Sequence, residues 1–160
     1  MNNVTYLILG SNLHEPLVQI EKAKHNITQH IGNILKCSAI YSTAPWGNTK
    51  QSDFLNQVVK VNTTLNPLET MQTILSIEEK MGRKRTLKNA PRIIDIDILF
   101  FNKEIIDTPN LMIPHPLIQE RNFVLQPMNE IAPLFVHPLL KKNIHTLLKK
   151  CKDKLPVNKI

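Results

Sequence analysis

The chain has 160 residues, of which 42% are hydrophobic and 21% are charged. This length suits a single hydrophobic core, so we expect residues 1–160 to form one domain. No apolar run exceeds four residues, which excludes a transmembrane helix, and the N-terminus lacks the basic segment of a secretory signal. We therefore expect a cytoplasmic protein. Cys37 and Cys151 show no metal-binding spacing, which disfavours a zinc site or a disulfide framework.

The charge balance favours an anionic partner. Twenty Lys and Arg residues oppose thirteen Asp and Glu residues, which gives a net charge of +7. Nucleic acid, acidic lipid and a phosphorylated small molecule all fit this balance. Seven of the cations lie between Lys141 and Lys159, and we expect this C-terminal stretch to be solvated and frayed.

The first half of the chain alternates strand and helix patterns. An apolar run predicts a buried strand over 4–10, and apolar residues at helical spacing predict a helix over 16–31. A strand pattern follows over 33–42, with the odd-numbered residues from Leu35 to Tyr41 on one face. A polar loop over 43–53 then leads into another strand over 54–63.

The second half repeats the helix and the strand and then becomes rich in proline. A helix is predicted over 67–82, a strand over 93–101, and short helices over 116–130 and 138–150. The apolar stripe of the first of these helices comprises Leu68, Met71, Leu75 and Glu78. The order of elements predicts an α+β protein, a ferredoxin-like βαββαβ sandwich with a helical C-terminal extension.

Two aspartates interrupt the strand over 93–101. Period-2 geometry places Asp95 and Asp97 on one face, together with Leu99 and Phe101. Two like charges on an apolar strand are costly unless a cation lies between them, and Mg²⁺ is the economical choice. The alternative is an edge strand with two solvated aspartates, which the scarcity of Asp in strands disfavours.

A basic segment precedes this strand. Its five cations within ten residues are Arg83, Lys84, Arg85, Lys88 and Arg92. Alone, such a run is most often a solvated loop. Beside Asp-x-Asp it favours phosphoryl transfer, because arginines bind phosphate oxygens bidentately while the acids hold Mg²⁺. The sequence contains no P-loop and no kinase Gly-rich loop.

Several motifs, in the same order along the chain, resemble those of one enzyme family. They are Leu9–Asn12, Tyr41–Pro45, Asp53–Asn56, Lys88–Leu99, Pro114–Pro116, Arg121–Leu125 and Glu130–Pro133. Together these segments resemble the 6-hydroxymethyl-7,8-dihydropterin pyrophosphokinases of folate synthesis. The resemblance implies a ferredoxin-like monomer that transfers pyrophosphate from ATP to the pterin's hydroxymethyl group and releases AMP. It implies small-molecule substrates, with neither a nucleic-acid nor a membrane partner.

The resemblance also implies roles for individual residues. Asp95 and Asp97 would hold two Mg²⁺ ions, and Arg83 and Arg92 would act with them in catalysis. The implied ATP-binding residues are Glu78, Arg83, Arg85, Arg92, Ile98, His115 and Arg121. The implied pterin-binding residues are Thr43, Pro45, Trp46, Phe54, Asn56 and Phe123. Two positions depart from the family pattern, since Asn89 and Leu117 stand where many relatives carry an aromatic residue and an arginine.

Two other functions share part of this pattern. RNA-recognition domains have the same βαββαβ order and a basic charge, but they need aromatic residues where this strand carries Asp95 and Asp97. A two-metal nuclease shares the paired acids but usually needs further carboxylates, and the strand offers only these two. Both alternatives are therefore less favoured than pyrophosphoryl transfer.

Overall fold

The computed structural model describes residues 2–45, 50–84 and 90–160. Its elements, in chain order, are β1 (Asn3–Ser11), α1 (Pro16–His30), β2 (Gly32–Cys37), β3 (Tyr41–Thr43), β4 (Phe54–Thr63), α2 (Pro67–Lys80), β5 (Asp95–Phe101), β6 (Ile106–Thr108), β7 (Leu111–Ile113), α3 (Asn122–Ile131), α4 (Ile144–Lys150) and β8 (Val157–Lys159). A single 3₁₀ turn, Ile118–Glu120, precedes α3. None of the helices in these ranges has both the length and the apolar character needed to cross a bilayer.

One antiparallel sheet organises the fold. Its strands run in the order β5-β1-β4-β3-β8, and β2 pairs with the other half of the same edge of β4. Because β2 and β3 together occupy the place of one strand, the arrangement is the predicted ferredoxin-like sandwich. A separate hairpin of β6 and β7, which the sequence pattern did not predict, follows β5.

Both faces of the sheet carry a hydrophobic core. On one face, α1 and α2 cover inward residues of β1 and β4 such as Leu7 and Val59. On the other face, α3 and α4 cover alternate residues such as Ile8 and Val58. Val58 and Val59 thus lie on opposite faces of β4. The helical extension therefore supplies the second layer of packing.

The strand predicted over 33–42 is two strands. Ser38 lies between them, where its hydroxyl accepts a hydrogen bond from Val58 N at 3.0 Å. Leu35, on the odd-numbered face, is 51% exposed, while its neighbour Ile34 packs against the core. After the break at Ser38, β3 pairs with the start of β4, whereas β2 pairs with its end.

The predicted stripe of α2 is displaced. Leu68 and Leu75 are 50% and 42% exposed, whereas Ile74 and Ile77 are buried. The face that the helix turns to the sheet is thus rotated from the predicted stripe, of which only Glu78 is fully buried. Glu78 accepts hydrogen bonds there from Arg83 and from Ile96 N, so the orientation of the helix is linked to these residues.

A β-bulge breaks the alternation predicted for β5. Leu7 pairs with Ile98 and Tyr6 pairs with Phe100, which leaves Leu99 as the extra residue. Leu99 and Phe100 consequently face the same core beside α3, and Phe101 faces the other core, contrary to the predicted sides of Phe100 and Phe101. The unpaired Leu99 carbonyl accepts a hydrogen bond from His115 N at 3.0 Å. Bulges often aim groups near active sites, and this one holds His115.

The C-terminal third is more irregular than predicted. The helix expected over 116–130 is a 3₁₀ turn followed by α3, and the helix expected over 138–150 begins only at Ile144. The end of the chain is not frayed, because β8 pairs with β3. Of the lysine-rich stretch, Ile144–Lys150 form α4 and Val157–Lys159 join the far edge of the sheet.

The start of α2 provides a test of local stability. Asn66 Oδ1 accepts from Glu69 N at 2.8 Å, and Glu69 Oε1 accepts from Asn66 N at 2.9 Å, which forms a capping box. We expect Asn66→Ala to lower the free energy of unfolding by about 1 kcal/mol, and Tm by about 2–4 °C. Thermal unfolding measures the change, with exposed Gln72→Ala on the same helix as control. Equal losses in both variants would show that the box contributes nothing.

Candidate active site

Two clefts meet at one end of the sheet. Arg92, Asp95 and Asp97 line both of them. The other described residues of the first cleft are Ile8, Gly10, Thr43, Ala44, Phe54, Asn56, Arg121 and Phe123. The second cleft also contains Glu78, Arg83, Ile98 and His115, together with apolar residues of α2 and of the hairpin. The acids thus stand between an aromatic compartment and a compartment with basic and apolar walls.

The aspartates are placed by the pairing of β5 with β1. Asp95 lies opposite Gly10 and Asp97 lies opposite Ile8, so both side chains face the clefts. Strand β5 is at the sheet edge, as in the alternative of solvated aspartates, but neither acid is simply solvated. Burial, and next the charges of Asp95 and Glu78, raise the pKa of Asp97 to about 7. An added cation would relieve this crowding of negative charge.

Two arginines neutralise Asp95 in the structure. Arg83 and Arg92 each place Nη1 at 2.8 Å from one of its two carboxylate oxygens. The same Arg83 nitrogen is 2.8 Å from Glu78 Oε2, which also accepts from Ile96 N at 2.8 Å. Glu78 is 3% exposed, so it acts as a buried anchor that joins α2, Arg83 and the outer edge of β5. Both predicted catalytic arginines are therefore held beside the predicted metal ligands.

His115 lies across the second cleft. Burial and the nearby Arg121 charge lower its pKa to about 4, against an opposing effect of Asp95, so the ring is neutral at pH 7. Its Nδ1 accepts a hydrogen bond from Leu117 N at 3.1 Å. The neutral ring therefore carries its proton on Nε2, which can donate to an anionic ligand.

The walls of the first cleft suit a flat heterocycle. Phe54 and Asn56 come from β4, Thr43 from β3, and Phe123 from the first turn of α3. Among the described residues, the buried hydroxyl of Thr43 has no hydrogen-bond partner. A Cβ on Gly10 would lie 2.6 Å from Asn56 Oδ1, so glycine is required for this amide to approach the cleft floor. The aromatic side chains here can stack on the faces of a ring, and the polar groups can form hydrogen bonds with its edge.

Asn12 joins the two halves of the site, a role that the sequence analysis did not assign. Its Nδ2 donates to Gln51 Oε1 at 2.7 Å and to Ser52 O at 3.0 Å. Its Oδ1 accepts from Arg92 N at 2.8 Å, and its own N donates to Arg92 O at 3.1 Å. Asn12 thereby ties the segment before Phe54 to the segment before Asp95. The Gly10-Ser11-Asn12 turn was the available signal, but only the fold shows both partners.

The structure places most, but not all, of the predicted site residues around these clefts. Pro45 is buried and is not among the described residues that line either cleft, whereas its neighbour Ala44 is. Arg121 lines the first cleft instead of the second, with its guanidinium carbon 5.6 Å from the centre of the Phe123 ring. Trp46, Arg85 and the divergent Asn89 lie outside the described residues.

The donor set is compatible with magnesium. No group of three or more His, Cys, Asp or Glu side chains suited to a metal occurs within residues 2–45, 50–84 and 90–160. Mg²⁺ is commonly held by one or two carboxylates while water and substrate phosphates complete its coordination. The paired Asp95 and Asp97, with the raised pKa of Asp97, fit this kind of site.

The chain is similar in sequence to proteins of one enzyme family. A family model described as 7,8-dihydro-6-hydroxymethylpterin-pyrophosphokinase (HPPK) matches residues 6–133. A Bacillus subtilis protein named 2-amino-4-hydroxy-6-hydroxymethyldihydropteridine pyrophosphokinase is 42% identical over 133 residues, which are 82% of this chain and 80% of that protein. An Aquifex aeolicus protein of the same name is 40% identical, over 86% and 85% of the two chains.

Solved structures agree on the fold. Wild-type Plasmodium falciparum HPPK-DHPS, crystallised with pterin and p-hydroxybenzoate, superposes with a TM-score of 0.78 at 22% identity. The match covers 94% of this chain and 42% of that one, so the chain spans less than half the length of this relative. The similarity to the two bacterial proteins, which covers at least 80% of each chain, and the match to the family model lead to one conclusion. The chain belongs to the 7,8-dihydro-6-hydroxymethylpterin-pyrophosphokinase family.

Proposed function

We propose that the shared wall of Arg92, Asp95 and Asp97 is the reaction centre of this pyrophosphokinase. The family reaction is transfer of a pyrophosphoryl group from ATP to the hydroxymethyl group of 6-hydroxymethyl-7,8-dihydropterin in folate synthesis. The β- and γ-phosphates of ATP leave together in this reaction, so the other product is AMP. The observation that carries the proposal is the meeting of two chemically different clefts at one pair of acids.

The first cleft takes the pterin. Phe54 and Phe123 offer aromatic faces, and Asn56 and the unpartnered Thr43 hydroxyl offer polar atoms for the ring edge. Aromatic stacking adds about 0.5–1.5 kcal/mol per pair beyond the burial of apolar area. A ring held there presents its substituent toward Asp95 and Asp97. We also assign Trp46 and Pro45 to this side from the resemblance alone.

The second cleft takes ATP. Arg83 and Arg92 supply cationic forks for the phosphates, His115 supplies an Nε2 donor, and Ile98 supplies an apolar contact. In the structure both arginines bond to Asp95, whose charge they neutralise. When metal ions and the triphosphate bind, we expect the arginines to exchange this carboxylate for phosphate oxygens. The proposed ATP set also includes Arg85, Glu78, which lines this cleft, and Arg121, which lines the first cleft.

Asp95 and Asp97 would hold Mg²⁺, and we propose two ions. Bound Mg²⁺ neutralises phosphate charge and lowers the pKa of a nearby hydroxyl. The protein's part is to hold both carboxylates on one rigid strand, paired with Gly10 and Ile8 of β1. The arginines then stabilise the charge that develops on the transferred group.

We further propose that residues 1–160 act as one domain and as a monomer. The clefts are lined by residues of this chain, so a second copy is not required to form them. Incubation with ATP, Mg²⁺ and the reduced hydroxymethylpterin tests the function as a whole. Formation of AMP supports pyrophosphoryl transfer, whereas ADP would indicate an ordinary kinase and reject the proposal.

Asp97→Asn should separate chemistry from stability. Losing a metal ligand lowers turnover by several orders of magnitude while the fold persists. The raised pKa of Asp97, about 7 against a usual 3.8, means that the folded protein keeps a proton that the unfolded chain releases between those values. The contribution of Asp97 to the free energy of unfolding therefore falls as pH rises through this window.

We consequently expect the variant, without metal or nucleotide, to be more stable than the parent protein at pH 8, with a difference that shrinks toward pH 4. Thermal unfolding in the presence of a chelator measures this difference. Asp107→Asn, at an exposed position of β6, is the control and should show no such trend. Near-normal turnover with Mg²⁺ would remove Asp97 from the metal site.

Phe54→Ala and Phe123→Ala should weaken pterin binding far more than ATP binding, because each ring lines only the first cleft. Each lost stacking contact should raise the dissociation constant for the pterin by about tenfold or more. Separate titrations with the pterin and with a non-hydrolysable ATP analogue measure the effect. Comparable losses for both ligands would mean that these phenylalanines are general core residues.

Arg92→Lys tests the phosphate contact. The change keeps the charge but loses the two-pronged guanidinium, so turnover should fall sharply. Lys84→Ala, an exposed cation of the same segment, should cost less than about 1 kcal/mol. Steady-state kinetics at one ionic strength compare the two variants. Small, similar losses that vanish at high salt would show that the segment provides only a diffuse positive field.

A further inference from the structure

The last ten residues, 151–160, reach both walls of the pterin cleft. They lie beyond the residues that the family model matches, 6–133, and the proposed function gives them no role. One of their contacts is made with the wall that carries Phe123, and another with the wall that carries Thr43. We propose that Asp153 and β8 are positioning elements that fix these two walls and thereby set the affinity for the pterin. This inference rests on the proposed assignment of the first cleft.

The first contact is at the start of α3. Asp153 Oδ2 accepts from Asn122 N at 3.0 Å, and Asp153 Oδ1 accepts from Leu155 N at 3.0 Å. The residue at the helix cap, Arg121, makes no side-chain capping bond, so a carboxylate from the tail serves this helix end. A negative charge at a helix N-terminus is favourable. Asn122 stands between Arg121 and Phe123, both of which line the cleft.

The second contact is along β3. Strand β8 pairs with it so that Val157 lies opposite Thr43, and Ile160 N donates to Ile40 O at 2.9 Å. By the alternation of an antiparallel ladder, Asn158 and Ser42 form the next hydrogen-bonded pair. Strand β3 has only three residues and leads directly into the polar loop that follows Thr43. Pairing on both of its edges therefore holds this wall in place.

A third contact closes the arrangement. The Glu130 carboxylate, near the end of α3, accepts from the Tyr41 hydroxyl at 2.6 Å and from Ala39 N at 3.1 Å. Burial and this carboxylate raise the pKa of Tyr41 to about 12, so its hydroxyl remains a donor. Lys159 Nζ of β8 is 4.0 Å from the same carboxylate. Helix α3, the tail and β3 are thus joined pairwise.

We infer that these three contacts fix the distance between the rings of Phe54 and Phe123. Phe54 lies opposite Thr43 in the β3–β4 pairing, and Phe123 lies in the first turn of α3. A planar ligand between two rings requires a set distance, and a misplacement of the supporting elements weakens both contacts. The described residues that line the ATP cleft belong to α2, β5, the β6–β7 hairpin and adjoining segments. None of these residues takes part in the three contacts with the tail.

The test compares two full-length variants with a matched control. Asp153→Ala removes the bonds to α3, and Asn158→Pro removes the backbone donor that pairs β8 with β3. Because the stacking walls would then be misplaced, we expect a rise of about fivefold to tenfold in the dissociation constant for 6-hydroxymethyl-7,8-dihydropterin. The dissociation constant for a non-hydrolysable ATP analogue with Mg²⁺ should stay within about twofold. Lys152→Ala, exposed in the same tail, should change neither value.

Asp153→Asn keeps one acceptor oxygen and should give an intermediate affinity. The inference is overturned if Asp153→Ala and Asn158→Pro bind the pterin like the parent protein, or if they weaken both ligands equally. Should Asn158→Pro fail to fold, the Asp153 pair decides alone. Phe54→Ala distinguishes the two proposals. If it leaves pterin binding unchanged, the assignment of the cleft fails, whereas a loss in Phe54→Ala without a loss in Asp153→Ala rejects only the role of the tail.

Discussion

The repulsion between two carboxylates on one strand is the constraint on which the rest of this site depends. Asp95 and Asp97 face the same way beside Gly10 and Ile8 of β1, and burial raises the pKa of Asp97 to about 7. Arg83 and Arg92 both form ion pairs with Asp95. In the proposed function, metal ions would take the place of the arginines at the acids, and both guanidiniums would then be available for phosphate. The same repulsion that makes this strand electrostatically unfavourable alone would therefore favour the binding of metal.

The edge position of β5 makes this arrangement possible. A central strand would bond to neighbours on both sides, whereas the outer groups of β5 are available to the site. Ile96 N donates to buried Glu78, and the bulge at Leu99 frees a carbonyl for His115 N. Asn12 then links the start of this strand to the segment before Phe54. The two clefts are consequently connected through a few hydrogen bonds.

Local patterns predicted the larger elements well, because strand alternation and helical spacing are properties of neighbouring residues. The ferredoxin-like order and the strand over 54–63 are confirmed. The patterns failed where a distant partner decided the orientation. Leu75 is exposed because the buried face of α2 is centred on Ile74 and Ile77. The β-bulge at Leu99 reverses the predicted sides of Phe100 and Phe101. The tail was expected to fray, because its lysines gave no indication of the strand that pairs with β3.

The sequence by itself determined the chemistry of this protein. The Asp-x-Asp motif lies in an apolar strand, and the arginines lie just before it in the sequence. Their combination therefore indicates metal and phosphate chemistry before the fold is known. The tertiary structure decided which cleft each residue lines, including the placement of Arg121 beside Phe123 in the first cleft. It also decided the hydrogen bonds of Asn12 to Arg92 and of Asp153 to Asn122, because these partners are far away along the chain. Hydrogen bonds between residues so far apart in the sequence depend on how the sheet and helices pack. The spacing of neighbouring residues does not indicate that packing.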